Sequence, residues 1–268
     1  MRPARAARPA PHAPRSTLHA IRSTLDAQRI TLRPLPFLAL LALALSPLPA
    51  LAQEKTTLTL LLDGKKVGTE TIVRETPEKG TFRDTARVEL ATPGGLTVTI
   101  DTVLVLHERE ESLRPARYTL ESKSGDRTVS VELTFEGPRA RGTLRQDGQS
   151  RAVDLEPGTN FTLIENNVFH PYRSLYRRYN FDQGGVQKTP VLVPSAGAVL
   201  EATMERKGTA RVKGEGKPET LERVAVTLGE MTFDLYGTRG GRFLFLVSEE
   251  QALRVATPGY ESVALPAR

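Results

Sequence analysis

Through most of the chain apolar and polar residues alternate with a period of two, which predicts strands with one buried face. Thr57 to Leu62 ("TLTLLL") meets Asp63-Gly64, a pair that accepts the positive φ angles of a type I′ turn, and the chain returns through "KKVGTETIVR" as the second arm of a hairpin. "TFRDTARVEL" and "LTVTIDTVLVL" follow around a Pro93-Gly94-Gly95 turn. Further runs, "RYTLESK", "RTVSVELTFE" and "RARGTLRQ", are closed by Ser124-Gly125-Asp126, Gly137-Pro138 and Asp147-Gly148. After residue 185 the same pattern resumes in "KTPVLVP", "AVLEATMERKG", "ARVKGEG", "LERVAVTLG", "MTFDLYG" and "RFLFLVS". Connections this short join antiparallel neighbours, since parallel strands need crossovers of a dozen or more residues. The expected fold is mainly β: a large curved antiparallel sheet, a half-barrel or open barrel, with one helix packed in its concave face.

That helix is predicted where the period changes. Tyr172, Leu175, Tyr176 and Tyr179 stand at i, i+3, i+4 and i+7, so they share one helical stripe, with Arg173, Ser174, Arg177 and Arg178 turned elsewhere. The spacing predicts a helix from about Val168 to about Asn180, capped by Asn166 or Asn167, with Pro171 in its first turn. Residues 161–181 hold six of the fourteen aromatic residues that follow residue 52, a concentration that makes this segment the natural plug for a curled sheet. Between its stripe and the sheet a ligand cavity lined by Phe169, Tyr172, Tyr176 and Tyr179 is expected, with Arg173 and Arg177 as contacts for an anionic headgroup or a partner's carboxylates. A solvated basic face and a filled core are the plainer readings of the same residues. The Gln183-Gly184-Gly185 break after the helix is a candidate division between two sub-sheets.

The amino end reads as an export signal. "FLALLALAL" (Phe37 to Leu45) is too short to span a hydrocarbon core that needs about 20 apolar residues. Basic residues precede it, and Ala50-Leu51-Ala52 gives a small-x-small cleavage pattern, so cleavage is expected after Ala52. Residues 1–52 are then an extension plus signal peptide and 53–268 a single β-rich domain, periplasmic or secreted and not membrane-spanning after cleavage. Removing the leader's seven arginines and one aspartate from 37 basic and 31 acidic residues leaves 30 of each. The apparent basic character belongs to the leader, which removes the electrostatic case for nucleic acid. There is no cysteine, so burial must hold the fold together without disulfides.

Candidate chemistry is sparse. Two histidines follow the leader, His107 and His170. His107 opens "HEREE" at a strand end, where alternation turns His107 and Glu108 to opposite faces and makes a metal site from this run alone a poor prospect. His170 has Glu165, Asn166 and Asn167 nearby, a set that could include an acid or base, and a hydrolase is retained as the minor enzymatic alternative. Gly148-Gln149-Ser150-Arg151-Ala152 half-matches a nucleophile elbow but sits in a hairpin rather than a strand-to-helix turn. No phosphate loop, dinucleotide fingerprint or metal motif is found, and no cofactor is expected.

With "LLLDGKKVGTETIV" and "ENNVFHPYRSLYRRY" both in view, the chain resembles uncharacterised bacterial secreted domains that pair an opening "DGxxxGxE" hairpin with a mid-chain helix and look distantly like the periplasmic lipoprotein-carrier half-barrels. The resemblance implies a curved antiparallel sheet around a helix with an apolar concavity, and transfers no catalytic residue and no transport role. The expected function is therefore a non-enzymatic periplasmic or secreted protein that binds a lipid or other apolar small molecule between helix and sheet. The alternative is a structural module of the envelope that binds a protein partner.

Overall fold

The computed structural model describes residues 53–92, 94–109, 112–214 and 216–265, without the side chains of Arg109 and Ser112. The expected leader, its cleavage after Ala52 and part of the Pro93-Gly94-Gly95 turn lie outside the described residues. Eight strands come first: β1 (Gln53–Leu62), β2 (Lys65–Glu78), β3 (Thr81–Ala91), β4 (Thr97–Arg109), β5 (Ser112–Ser124), β6 (Arg127–Glu136), β7 (Arg139–Gln146) and β8 (Gln149–Leu155). A two-residue strand β9 (Thr162–Leu163) and the helix α1 (Tyr172–Arg178) follow, and then β10 (Val186–Val193), β11 (Ala198–Val212), β12 (Glu219–Leu228), β13 (Met231–Gly237), β14 (Phe243–Ser248) and β15 (Leu253–Ala256).

All fifteen strands join one open sheet in the order β8-β7-β6-β5-β4-β3-β2-β1-β15-β14-β13-β12-β11-β10-β9. Two meanders, β1 to β8 and β10 to β15, meet where β1 pairs antiparallel with β15 (Leu60 opposite Val255). The sheet is continuous across the Gln183-Gly184-Gly185 break, so no sub-sheet boundary falls there. Antiparallel pairing holds throughout except for β9 beside β10, a parallel pair whose connection contains the helix. Asp63 and Gly64 both take positive φ (50° and 73°), the signature of the type I′ turn read from sequence, and Asp147 and Gly148 do the same (48° and 84°).

The alternation places the apolar phase of nearly every strand in one core. It runs from Leu58 on β1 through Val88, Leu104, Tyr118, Leu133, Leu144 and Val153 on one meander, and through Leu192, Met204, Val226, Leu235, Leu246 and Val255 on the other. Leu175 and Tyr176 of α1 lie in that same core, so the sheet curls around the helical segment. Two bulges then redirect side chains. Between Arg206 and Thr209 two residues of β11, Lys207 and Gly208, oppose one of β12, Arg223. Ala202 and Met204 therefore face the main core while Ala210 and Val212 belong to a second cluster. A shift between Tyr236 and Gly237 does the same on β14, where Phe243 and Leu246 face the main core and Leu244 and Phe245 the second. That second cluster is covered by Tyr260 and Val263 of the carboxyl-terminal tail, whose Tyr260 hydroxyl donates to Glu219 Oε1 at 2.6 Å.

The helix is shorter than its aromatic stripe. It covers Tyr172–Arg178, with Pro171 at its start and no side-chain cap, in place of the expected run from Val168 capped by Asn166 or Asn167. Asn167 adopts φ 60° within a tight turn in which the Val168 N–H reaches Glu165 O at 3.4 Å. A helix cannot pass through that turn, and Pro171, which has no N–H to donate, fits at the opening instead. Tyr179 is the residue at which the helix ends, in extended conformation.

Candidate functional site

The segment leading into α1 is fastened to the sheet at two buried carboxylates. Glu165 closes the tight turn and accepts hydrogen bonds from Asn166 N (2.7 Å), Ser195 N (2.9 Å) and the Ser195 hydroxyl, which ties it to the turn between β10 and β11. Burial raises its pKa above the ordinary 4.5, against the opposing effect of those three donors.

The second carboxylate is Glu70 of β2, fully buried between Leu58 of β1 and Val88 of β3. It accepts the Phe169 N–H at 2.8 Å, the His170 N–H at 3.1 Å and the His170 Nδ1–H at 2.7 Å. Gly68 sets the approach of this strand: a Cβ there would lie 2.2 Å from Glu89 O. The glycine and glutamate of the "DGxxxGxE" pattern thus have a shared use, the first letting β2 close on β3 and the second clasping the chain at Phe169-His170. The two sequence motifs, a hundred residues apart, meet at this point.

Around the clasp polar groups stand in an apolar interior. His170 Nε2 and the Tyr118 hydroxyl are buried without a hydrogen-bond partner among the described residues. Burial first, and then the nearby carboxylates Glu165 and Glu70, push the Tyr118 and Tyr172 hydroxyls well above their ordinary range. His170, the candidate acid or base, is 3% exposed with its Nδ1 committed to Glu70. This arrangement orients backbone and ring together and can hold a segment in place.

The four aromatic candidates divide into two pairs. Phe169 and Tyr172 line a cavity of about 120 Å³ together with Phe233, Leu246 and Leu253, and Asn166, Asn167, Met231 and Gln251 stand around it. Phe169 stacks on Tyr172 at 6.1 Å and Tyr172 meets Phe233 edge-on at 5.2 Å. Tyr176 and Tyr179 lie elsewhere, packed on Phe181 at 5.7 and 5.0 Å. Their hydroxyls donate to Thr238 O (3.1 Å) and Gly185 O (2.8 Å). Gly237 makes room for Tyr176, since a Cβ there would come within 2.7 Å of its ring.

Of the two basic candidates, Arg177 is exposed and donates from Nε to Gly241 O at 3.2 Å. Arg173 is partly buried, with Glu54 at 4.0 Å. His107 Nδ1 is paired with the Thr81 hydroxyl at 3.1 Å, and no group of three or more His, Asp or Glu side chains among the described residues could hold a metal ion. Ser150 lies in the β7–β8 hairpin, where no helix follows. Among the described residues no helix is long and apolar enough to cross a membrane.

Sequence reasoning nominated His170 and missed its partner. A signal was present: Glu70 shares the apolar phase of β2 with Ile72, one charged residue on a face otherwise turned to the core. Comparison with known proteins adds a structural neighbour. No protein-family model matches the chain, and no curated protein matches it. A crystal structure of a β-barrel-like protein of the domain of unknown function DUF1849 from Brucella abortus aligns with a TM-score of 0.46 at 9% identity, over 81% of this chain and 99% of that one.

Proposed function

We propose that this protein is an exported, non-catalytic binding module that accepts the apolar end of a small molecule or lipid at the Phe169–Tyr172 cavity. The observation that carries the reading is the cavity itself, a recess between the helical segment and β13 to β15 that sets aromatic and aliphatic side chains beside three amides and the Ser248 hydroxyl. The Glu70 and Glu165 clasps hold one wall in place before any ligand arrives, which lowers the ordering cost of binding. At roughly 30 Å³ for each water-sized group, about 120 Å³ admits some four such groups. A short aliphatic end fits, and the remainder of a longer ligand stays outside. The burial of His170 behind Glu70 favours a positioning role over catalysis, and the leader pattern favours export to the periplasm or beyond.

Neutral short-chain aliphatic alcohols, titrated by calorimetry, test the reading. Saturable binding that is lost in Met231→Trp, where a larger ring at a 37% exposed wall residue fills the recess, is the expected result. Absence of binding to the wild-type protein, together with native mass spectra free of any apolar species after purification from its own host, overturns it.

A second reading, an envelope module that binds a protein partner, draws on the open sheet. β8 and the two-residue β9 are its edges, and Val199 and Leu200 beside β10 are 38% and 37% exposed. Cross-linking in cells through a photoreactive residue at position 200 distinguishes it: a discrete adduct supports a partner at the exposed start of β11.

A further inference from the structure

Where β1 begins, beside α1, guanidinium groups outnumber the carboxylates that meet them. Arg173 on α1 has a side chain only 26% exposed, yet no described residue accepts a hydrogen bond from its guanidinium. Its nearest carboxylate, Glu54 of β1, is 4.0 Å away and 66% exposed. The buried carboxylate in the neighbourhood, Asp84 of β3, is already engaged by Arg74 in a two-pronged pair at 2.6 Å for each prong. Arg177 stands one helical turn beyond Arg173, with Nε bound to a backbone carbonyl and no carboxylate partner among the described residues. Three guanidinium groups, Arg74, Arg173 and Arg177, therefore face two carboxylates, one of them spent and the other loose.

A guanidinium taken largely out of water keeps its charge at a cost unless a counter-charge and hydrogen-bond acceptors meet it. Arg173 has neither at close range, though its donor atoms are still reachable from solvent. Five N–H donors in a planar fork suit a phosphate or carboxylate group, which they bind in pairs.

We propose that Arg173, with Arg74 and Arg177 beside it, forms a binding site for a small oxyanion, a phosphate or carboxylate group, at the end of the concave face where β1 begins. The electrostatics agree with the geometry: burial, and next the Arg74 cation, lower the pKa of Arg173, while Asp84 and Glu54 oppose and Arg177 adds to the effect. The site is distinct from the Phe169–Tyr172 cavity. Arg173 follows the cavity-lining Tyr172 in the chain but is not itself among the residues that line the cavity. Neutral alcohols report on the cavity and anions on Arg173, so each proposal stands or fails by its own measurement.

Inorganic phosphate titrated into the full chain at low ionic strength tests the site, with vesicles of phosphatidylglycerol and of phosphatidylcholine as parallel arms. Saturable phosphate binding that weakens about tenfold in Arg173→Gln is the expected result for a free anion. Binding confined to phosphatidylglycerol vesicles, with the same dependence on Arg173, assigns the oxyanion to a lipid headgroup. Because Arg173 is partly buried, Glu54→Gln at an exposed position supplies a second arm with the opposite sign: removing the competing carboxylate strengthens anion binding several-fold. Wild-type protein that takes up neither phosphate nor anionic vesicles, with Glu54→Gln no better, overturns the proposal. So does binding that persists unchanged in Arg173→Gln.

Discussion

Replacing Glu70 with alanine removes the acceptor for three buried donors at once, the N–H groups of Phe169 and His170 and the His170 Nδ1–H. Each stranded donor costs about 1–3 kcal/mol. Water entering the space left by the carboxylate relieves part of that, so the expected loss is about 3–5 kcal/mol, the range for breaking a buried pair by deleting one member. Glu70→Gln keeps the shape and one carbonyl acceptor but turns an NH₂ group toward a donor, and about half that loss is expected. Because the His170 ring is one of the three donors, a cycle through Glu70→Ala, His170→Ala and the double mutant returns a coupling of about 1–3 kcal/mol. Urea unfolding followed by far-ultraviolet circular dichroism measures the stabilities. The chain has no tryptophan, so near-ultraviolet dichroism reports tyrosine packing, and the bands of Tyr172, Tyr176 and Tyr179 weaken if the clasp orders the helical segment. An alanine variant within about 1 kcal/mol of wild type, or additive single mutants, refutes the idea that Glu70 and His170 act as one fastening.

Gly237→Ala drives a methyl group to within 2.4 Å of Arg242 O and 2.7 Å of the Tyr176 ring, and an urea midpoint lowered by the equivalent of about 1–3 kcal/mol is expected. Glu165 has a raised folded-state pKa, so the native state holds its proton more tightly than the unfolded chain does. Its contribution therefore declines as pH rises from 4.5 through the folded value and is constant above it; the difference in stability between wild type and Glu165→Gln across that window shows this decline. Tyr260→Phe, which removes the donor to Glu219 Oε1, costs about 0.5–1.5 kcal/mol by urea unfolding, whereas Tyr260→Ala also uncovers Phe245 and costs about 3–5 kcal/mol.

The strands were legible because their information is local. Alternation sets the faces, and Asp63-Gly64 or Asp147-Gly148 sets the reversals, all within a dozen residues. The helical segment was half legible. The stripe of Tyr172, Leu175, Tyr176 and Tyr179 marks the buried side correctly, but the extent of the helix depends on the Glu165–Val168 turn, and that turn depends on Ser195 thirty residues away. The clasp was illegible in detail because it rests on register. Only once β2 is set against β1 and β3, with Glu70 opposite Leu58 and Val88, does its carboxylate meet Phe169 and His170. The recess has the same dependence: Phe169 and Tyr172 are drawn from one stretch of sequence, but Phe233, Leu246 and Leu253 reach them only through the far meander.

β1 finds one neighbour, β2, across a two-residue turn, and waits for its other, β15, until the second meander has been made. A nascent protein emerging amino end first can zip β1 to β8 together with little loop closure, yet it carries the outer edge of β1 bare for some 190 residues of synthesis. Fragments truncated before Leu253 keep that edge bare permanently, and edge-to-edge association between such fragments is the hazard this arrangement builds in.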